Sequence, residues 1–331
     1  MAARGRQRRP RRSHRCHRRD AHPRDWALLR PERGGDRGNR GALLARRGTR
    51  VTRTALGPPR RPARKRFGQH FLEAAWVQKV VDAIRPQPDD RFLEIGPGRG
   101  ALTAALASRC RSIVAVEIDR DLAADLADTA PPNVRVVAGD FLETPLHEWR
   151  EHPHAYRVAA NLPYNVGTPI LFRLLALARE GVLTDAVLML QREVAARLVV
   201  RPPHRNWGPL GVFAQLQADV ERVLTLPPGA FRPPPRVHSA VVRLRFREDA
   251  VAVGDYARFV HLVRGLFMHR RKTLANALRE MEPGTVSRAE RYPVALSVER
   301  ALADAHLDGK RRPETLQLAE LARLSQSHTS V

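Results

Sequence analysis

Cysteine is scarce in this chain, with two in 331 residues, Cys16 and Cys110. One lies in an arginine-rich leader and the other ends a helix-like stretch, so neither a disulfide framework nor a metal site is supported. No apolar run reaches the roughly 18 residues that a membrane-spanning helix needs. No secretory leader opens the chain, and no internal repeat is present. These absences exclude secreted, membrane and metal-scaffold classes, and the expectation is a soluble cytoplasmic protein without metal.

What the chain has in excess is positive charge, a formal +24, and it is unevenly spread. The first 66 residues hold 23 Arg and Lys against only Asp20, Asp25, Glu32 and Asp36. The remainder is only mildly basic. Residues 1–63 are rich in Arg, Gly and Pro without apolar periodicity, a composition that cannot bury enough surface to fold, so this stretch is read as disordered. A basic arm holding RNA nonspecifically fits it; so do a spacer and an upstream extension, and its acids and few serines argue against an import signal.

From Phe92 onward short apolar runs alternate with helical ones. The pattern predicts strands at Arg91–Ile95, Ser112–Glu117, Val134–Ala138, Tyr156–Ala160 and Asp185–Leu190. Helices are predicted over Gly100–Ser108, Asp119–Asp128, Pro169–Arg179 and Arg192–Val200. Such alternation specifies an α/β fold with a doubly wound parallel sheet. Leu210–Thr225 and Ser239–Phe246 flank Pro233-Pro234-Pro235 and suggest a hairpin-like pair closing the sheet. Beyond about Glu248 the pattern is purely helical. The division expected is 64–248 for the sheet domain and 249–331 for a small all-helical domain.

Glu94-Ile95-Gly96-Pro97-Gly98-Arg99-Gly100 falls where the first predicted strand turns into a helix. Glycines there permit a tight turn and close approach of backbone to a ligand. A glycine-rich turn by itself suits nicotinamide, flavin or sulfonium cofactors alike. Glu117 ends the second strand about 20 residues on, placed for ribose hydroxyls. Asp140 follows the third strand, where it can accept from an adenine amine with Phe141 packed on the ring. An acid directly before the glycines favours the cationic end of S-adenosylmethionine over a diphosphate. Taken singly, Glu117 and Asp140 also read as helix caps or solvated strand ends.

After the fourth strand comes Asn161-Leu162-Pro163-Tyr164. Asn161 can accept a hydrogen bond from an exocyclic amine, Tyr164 offers a face for a base, and Pro163 fixes φ without donating an N–H. That is equipment for alkylating the amino group of a nucleobase, although Asn and Pro also make ordinary strand-to-helix turns.

Together these motifs resemble the ribosomal RNA adenine N6-dimethyltransferase family, of the small-subunit, kasugamycin-resistance type. Phe67-Gly68-Gln69-His70-Phe71-Leu72 looks like the family's amino-terminal cofactor clamp, and Phe231–Val242 resembles its late sheet motif. Arg270–Leu274 and Asp308–Glu314 resemble its carboxy-terminal helical signatures. The likeness runs from about Arg64 to Leu324; Gly167 stands where the family more often has Ser. It implies a Rossmann-like class I methyltransferase sheet and a helical RNA-binding domain. Carried over by position, His70 and Leu72 would touch the methionine end of the cofactor beside Gly96. Glu117 would hold its ribose, Asp140 its adenine, and Asn161 would bridge cofactor and target amine. The backbone carbonyl of Leu162 or Pro163 would accept the second amine N–H. Tyr164 and Phe231 would stack on the base, Phe231 reading equally as a core aromatic. The implied substrate is a pair of adjacent adenines in the 3′-terminal hairpin of small-subunit (16S) rRNA, within a pre-30S particle, methylated by a monomer. The alternatives are a large-subunit (23S), macrolide-resistance type and a nonenzymatic nucleic-acid binder. Asn161-Leu162, Leu190-Gln191-Arg192-Glu193 and Asp308–Glu314 lean to the small-subunit branch. Arg270-Arg271-Lys272 and Lys310-Arg311-Arg312 are RNA-docking candidates that also read as solvated helix faces or local pairs with Glu314.

Overall fold

The computed structural model describes residues 69–151, 155–247, 251–281 and 291–327. The arginine-rich residues 1–63, with Cys16, and Phe67-Gly68 of the amino-terminal motif lie outside them. A two-residue strand β1 (Phe71–Leu72) leads into α1 (Ala74–Ile84). Then follow β2 (Arg91–Ile95), α2 (Ala101–Ala107), β3 (Ser112–Glu117), α3 (Arg120–Thr129), β4 (Val134–Ala138), α4 (Leu146–Trp149) and β5 (Tyr156–Asn161). Next come α5 (Gly167–Arg179), β6 (Leu183–Gln191), α6 (Arg192–Val199), α7 (Pro209–Gln217), β7 (Ala218–Leu226), β8 (Phe231–Arg232) and β9 (Ser239–Phe246). Among the described residues four helices follow: α8 (Tyr256–Met268), α9 (Leu274–Met281), α10 (Arg291–Asp304) and α11 (Leu318–Ser327).

Seven strands form one sheet in the order β4-β3-β2-β5-β6-β9-β7. The first five run parallel, and β9 lies antiparallel between β6 and β7. Period-two alternation in the strands sorts their side chains onto two faces. Leu93, Ile95, Val114, Val116 and Val158 join the core under α5 and α7. Phe92, Ile113, Ala115 and Ala159 join the other, under α1 and α2. Helix α1 buries Val77, Val80, Val81 and Ile84, the i, i+3, i+4, i+7 stripe of an amphipathic helix. The sequence reading missed it. The run Leu210–Thr225 is corrected as well. Its first half is helix α7, entered through Pro209 at the first helical position, and only its second half is strand β7.

The carboxy-terminal helices are continuous with the sheet's α5/α7 face. Phe213 stands edge-on to Phe172 and to Phe259 of α8, and the buried Trp207 Nε1–H donates to Leu316 O at 3.1 Å. Register brings the chemistry to one edge. Ile95 pairs with Ala160 and Val116, so Gly96, Glu117 and Asn161 stand one residue further, at the carboxyl ends of adjacent strands.

Candidate active site

Four consecutive residues ahead of α1 form a strap across that edge, each tied to a different segment. Gln69 Nε2 donates to Asp119 Oδ2 at 3.1 Å, beyond β3. The His70 carbonyl accepts from Asn161 Nδ2 at 2.7 Å. Phe71 lies against the glycine turn, its ring 3.0 Å from where a Cβ on Gly98 would stand, with the Arg99 guanidinium 4.1 Å from its centroid. Leu72 pairs with Phe231 in the antiparallel β1–β8 ladder and packs on the α1/α2 core. Sequence reasoning had no means to see this pairing, because strands of two residues carry no periodicity and the partners lie about 160 positions apart.

The glycine turn is built from left-handed backbone, with φ of 67° at Gly96, 60° at Gly98 and 74° at Gly100. Side chains rarely adopt such angles. At Gly96 the space a Cβ would fill is open. Beneath it Glu94 is 2% exposed, and its Oε2 has no hydrogen-bond partner among the described residues. Burial pushes its carboxyl up to about 8, with the neighbouring Thr103 hydroxyl opposing the rise and the nearby Glu117 adding to it. A buried acceptor without a donor calls for an explanation, and a cationic ligand head in the open space above Gly96 supplies one.

Glu117, 3% exposed, takes the Gly98 N–H at 2.8 Å on one oxygen and the Asp119 N–H at 2.9 Å on the other. Burial raises its proton affinity, and these two N–H groups oppose the rise. Each carboxylate oxygen keeps a second lone pair for a ribose hydroxyl. Ile118, next in the chain, is 40% exposed, an apolar face at the same strand end that the sequence reading passed over; its signal was its position straight after the strand-end acid. Asp140 uses Oδ1 to accept the Leu142 N–H at 2.9 Å, leaving Oδ2 for a ligand. The donors and acceptors thus fit S-adenosylmethionine: an unpartnered acid beside an open glycine turn, a second acid for the ribose, an apolar face and a third acid for the adenine.

At the end of β5, the bond to His70 turns the Asn161 amide so that its Oδ1 is left with no partner among the described residues. The Leu162 side chain is buried, and its N–H donates to Met189 O at 3.2 Å. Pro163 O accepts the Val166 N–H at 3.2 Å, so of the two carbonyls proposed to meet an amine, that of Leu162 is the one without a partner among the described residues. Tyr164 stacks on the His70 imidazole, centroids 5.3 Å apart and planes 29° from parallel. Its hydroxyl lies 2.5 Å from Ser239 Oγ, and burial raises its proton affinity, opposed by that bond. The His70 ring is itself held by Nδ1–H donating to Pro233 O at 2.7 Å. His70, Asn161 and Tyr164 therefore form one unit, and Ser239 is a member that the sequence reading did not single out.

Two expectations are corrected. Phe231 is 1% exposed in the α1/α2 core, because the β1–β8 ladder seals it beneath the strap; it offers no stacking face. Phe141 is likewise buried, tilted against Trp149 at 6.1 Å with Arg173 over its ring, so it does not pack on a ligand ring. The basic clusters divide. Arg311 is held by Glu320 at 2.6 and 3.0 Å and by Thr315 O, and Lys272 pairs with Glu280 at 2.6 Å. Their partners are not Glu314. Arg271, Lys310 and Arg312 are exposed and have no ion-pair partner among the described residues.

Comparison with known proteins agrees with this geometry. The family described as Ribosomal RNA adenine dimethylase matches residues 60–321. A Ribosomal RNA small subunit methyltransferase A from Geobacter metallireducens is 42% identical over 271 residues, covering 80% of this chain and 95% of its own. The protein of that name from Pseudomonas syringae pv. tomato is 39% identical, over 80% and 93%. Among solved structures, a dimethyladenosine transferase from Plasmodium falciparum shares the fold with a TM-score of 0.64 and 23% identity, over 77% of this chain and 96% of that one. The 23S rRNA methyltransferase ErmE superposes with a TM-score of 0.55 at 25% identity, over 78% and 98%. This chain belongs to the ribosomal RNA adenine dimethylase family.

Proposed function

We propose that this protein transfers methyl groups from S-adenosylmethionine to the N6 amines of two adjacent adenines in the 3′-terminal hairpin of small-subunit rRNA. It does so as a monomer on a pre-30S particle in the cytoplasm. The observation that carries the reading is Asn161, whose Nδ2 donates to the His70 carbonyl and leaves Oδ1 without a partner among the described residues, at the strand end beside the glycine turn. When bound, S-adenosylmethionine supplies an electrophilic methyl on a sulfonium. Glu94 and the Gly96 turn take its charged end with His70 and Leu72 alongside. Glu117 takes the ribose, and Asp140 and Ile118 take the adenine.

An adenine N6 is a weak nucleophile because its lone pair is delocalised into the ring. With its two N–H groups donated to Asn161 Oδ1 and the Leu162 carbonyl, that lone pair points at the methyl. Catalysis is then positioning and electrostatic support for the charge formed on nitrogen. The target base must leave its stack to reach the pocket. Tyr164 supplies the stacking face, worth about 1–3 kcal/mol, stiffened from behind by His70. The helices of residues 249–331, through Arg271, Lys310 and Arg312, dock the RNA.

The higher identity to relatives named for the small subunit than to the 23S enzyme favours the small-subunit substrate, and the intact cradle argues against a nonenzymatic role. Incubation with labelled S-adenosylmethionine and undermodified small or large subunits, followed by mass-spectrometric mapping, tests this. Label is expected on two neighbouring adenines of the small-subunit hairpin. Label only in large-subunit RNA overturns the assignment.

A further inference from the structure

Beside Tyr164 the surface opens into a cleft of about 320 Å³ lined by Gln191, Arg192, Glu193, Arg236, Val237 and His238. It is contiguous with the catalytic unit. Gln191 pairs with Ser239 across β6 and β9, Ser239 Oγ touches the Tyr164 hydroxyl, and the Arg192 N–H donates to His238 O at 3.0 Å. Neither the Arg192 nor the Arg236 guanidinium has a partner among the described residues, and both are exposed. The acid of the cleft, Glu193, is already paired with Arg197 one turn along α6. Val237, next to Arg236 in the same lining, is 44% exposed.

A second cleft of about 340 Å³ at the opposite edge of the sheet is lined by four arginines, Arg85, Arg157, Arg243 and Arg245. There three of the four are paired, Arg157 with Asp90 and Asp185 and both Arg243 and Arg245 with Glu221. Unpaired guanidinia around an exposed apolar residue match the chemistry of single-stranded nucleic acid, which presents anionic phosphates and bases with apolar faces. The volume lies at the low end of the roughly 300–1,000 Å³ of small-ligand sites, suited to one nucleotide and not to a duplex.

We propose that this cleft binds the nucleotide adjoining the flipped adenine, with its phosphates on Arg192 and Arg236 and its base against Val237. The inference rests on the RNA-methylating reading above and adds a subsite to it. A pre-formed seat for the neighbour explains how two successive adenines can be presented without releasing the strand.

The test compares wild type, Arg192→Ala/Arg236→Ala, and the charge-matched control Arg85→Ala/Arg245→Ala at the remote edge. Methyl transfer to undermodified small subunits and RNA binding are measured across a salt series. The cleft variant should raise KM for RNA about tenfold with kcat within about twofold, and flatten the log–log salt slope of RNA binding by roughly 1.4, about 0.7 per lost phosphate contact. Cofactor affinity should stay unchanged, and the control should match wild type. A cleft variant equal to wild type, or a control that loses as much, overturns the subsite. Failure of wild type itself to methylate small-subunit RNA overturns the underlying reading instead.

Discussion

The two edges of the sheet treat their polar groups in opposite ways. At the amino edge Arg157 is saturated: it donates to Asp185 at 2.7 and 2.9 Å, to Asp90, and to the Ile84 and Arg85 carbonyls that end α1. At the carboxyl edge the groups are left incomplete. Among the described residues, Glu94 is buried with an unpartnered oxygen, Asn161 keeps Oδ1 open, and Arg192 and Arg236 are exposed and unpaired. A protein gains nothing in stability from such vacancies, since a buried polar group without a partner costs about 1–3 kcal/mol. The completed network around Arg157 holds the fold, and the open groups at Glu94 and Asn161 stand where a ligand can finish the bonding.

The sharpest way to break this contrast is Asn161→Ala. Losing the acceptor aimed at the amine should cut methyl transfer on the order of 10³-fold, the scale of losing one preorganised group at a reacting centre. Thermal stability should change little. Near-normal turnover with labelled cofactor would sink the assignment of Asn161. At the other edge Arg157→Ala should do the reverse. Removing one partner of a buried ion network costs about 3–5 kcal/mol, and because Arg157 keeps some exposure the loss should fall at the low end. Denaturant unfolding should show it, while the folded fraction keeps its kcat. A stable but inactive Arg157→Ala would erase the distinction between the edges.

Glu94 sharpens the comparison through pH. Its folded carboxyl titrates near 8, well above the roughly 4.3 of an unfolded glutamate. Below about pH 4 both states are neutral and burial carries no charge penalty. As pH rises between the two values only the unfolded chain ionises, so stability falls by up to ~1.4 kcal/mol per pH unit, and above pH 8 the loss levels off. Glu94→Gln keeps the shape and removes the titration. Ligand-free wild type should therefore lose melting temperature relative to Glu94→Gln from pH 5 to pH 8. Parallel curves for the two proteins would show that Glu94 is not the buried neutral acid described here.

Much of the sheet was legible because its strands alternate cleanly: Arg91–Ile95, Ser112–Glu117 and Val134–Ala138 are found where the pattern placed them. The strand-end acids and the Asn161 tetrad were legible because their chemistry is tied to position. What escaped was set by contacts distant in sequence. Phe231 is an aromatic beside a proline turn, and only the strap folding over it decides that it is core. Arg311 finds Glu320 nine residues on, across a 3₁₀ turn, where helical spacing would have pointed to nearer acids. The amphipathic stripe of α1 was present in the letters, but it lay before the first recognised strand.

The smallest effect expected lies within the catalytic unit. Tyr164 contributes a ring stacked on His70 and a hydroxyl bonded to Ser239, and the two can be separated. Tyr164→Phe keeps the ring and leaves the buried Ser239 hydroxyl without its partner, a loss of about 1 kcal/mol in stability. If the ring is what meets the base, turnover should stay within a few-fold of wild type. Tyr164→Ala, which removes both, should lose activity far more than stability. The paired measurement is unfolding free energy against kcat/KM for RNA in both variants. Should Phe and Ala prove equally inactive, the Ser239 bond rather than the stacking face would be what positions the site, and Tyr164 would belong with the completed network of the amino edge.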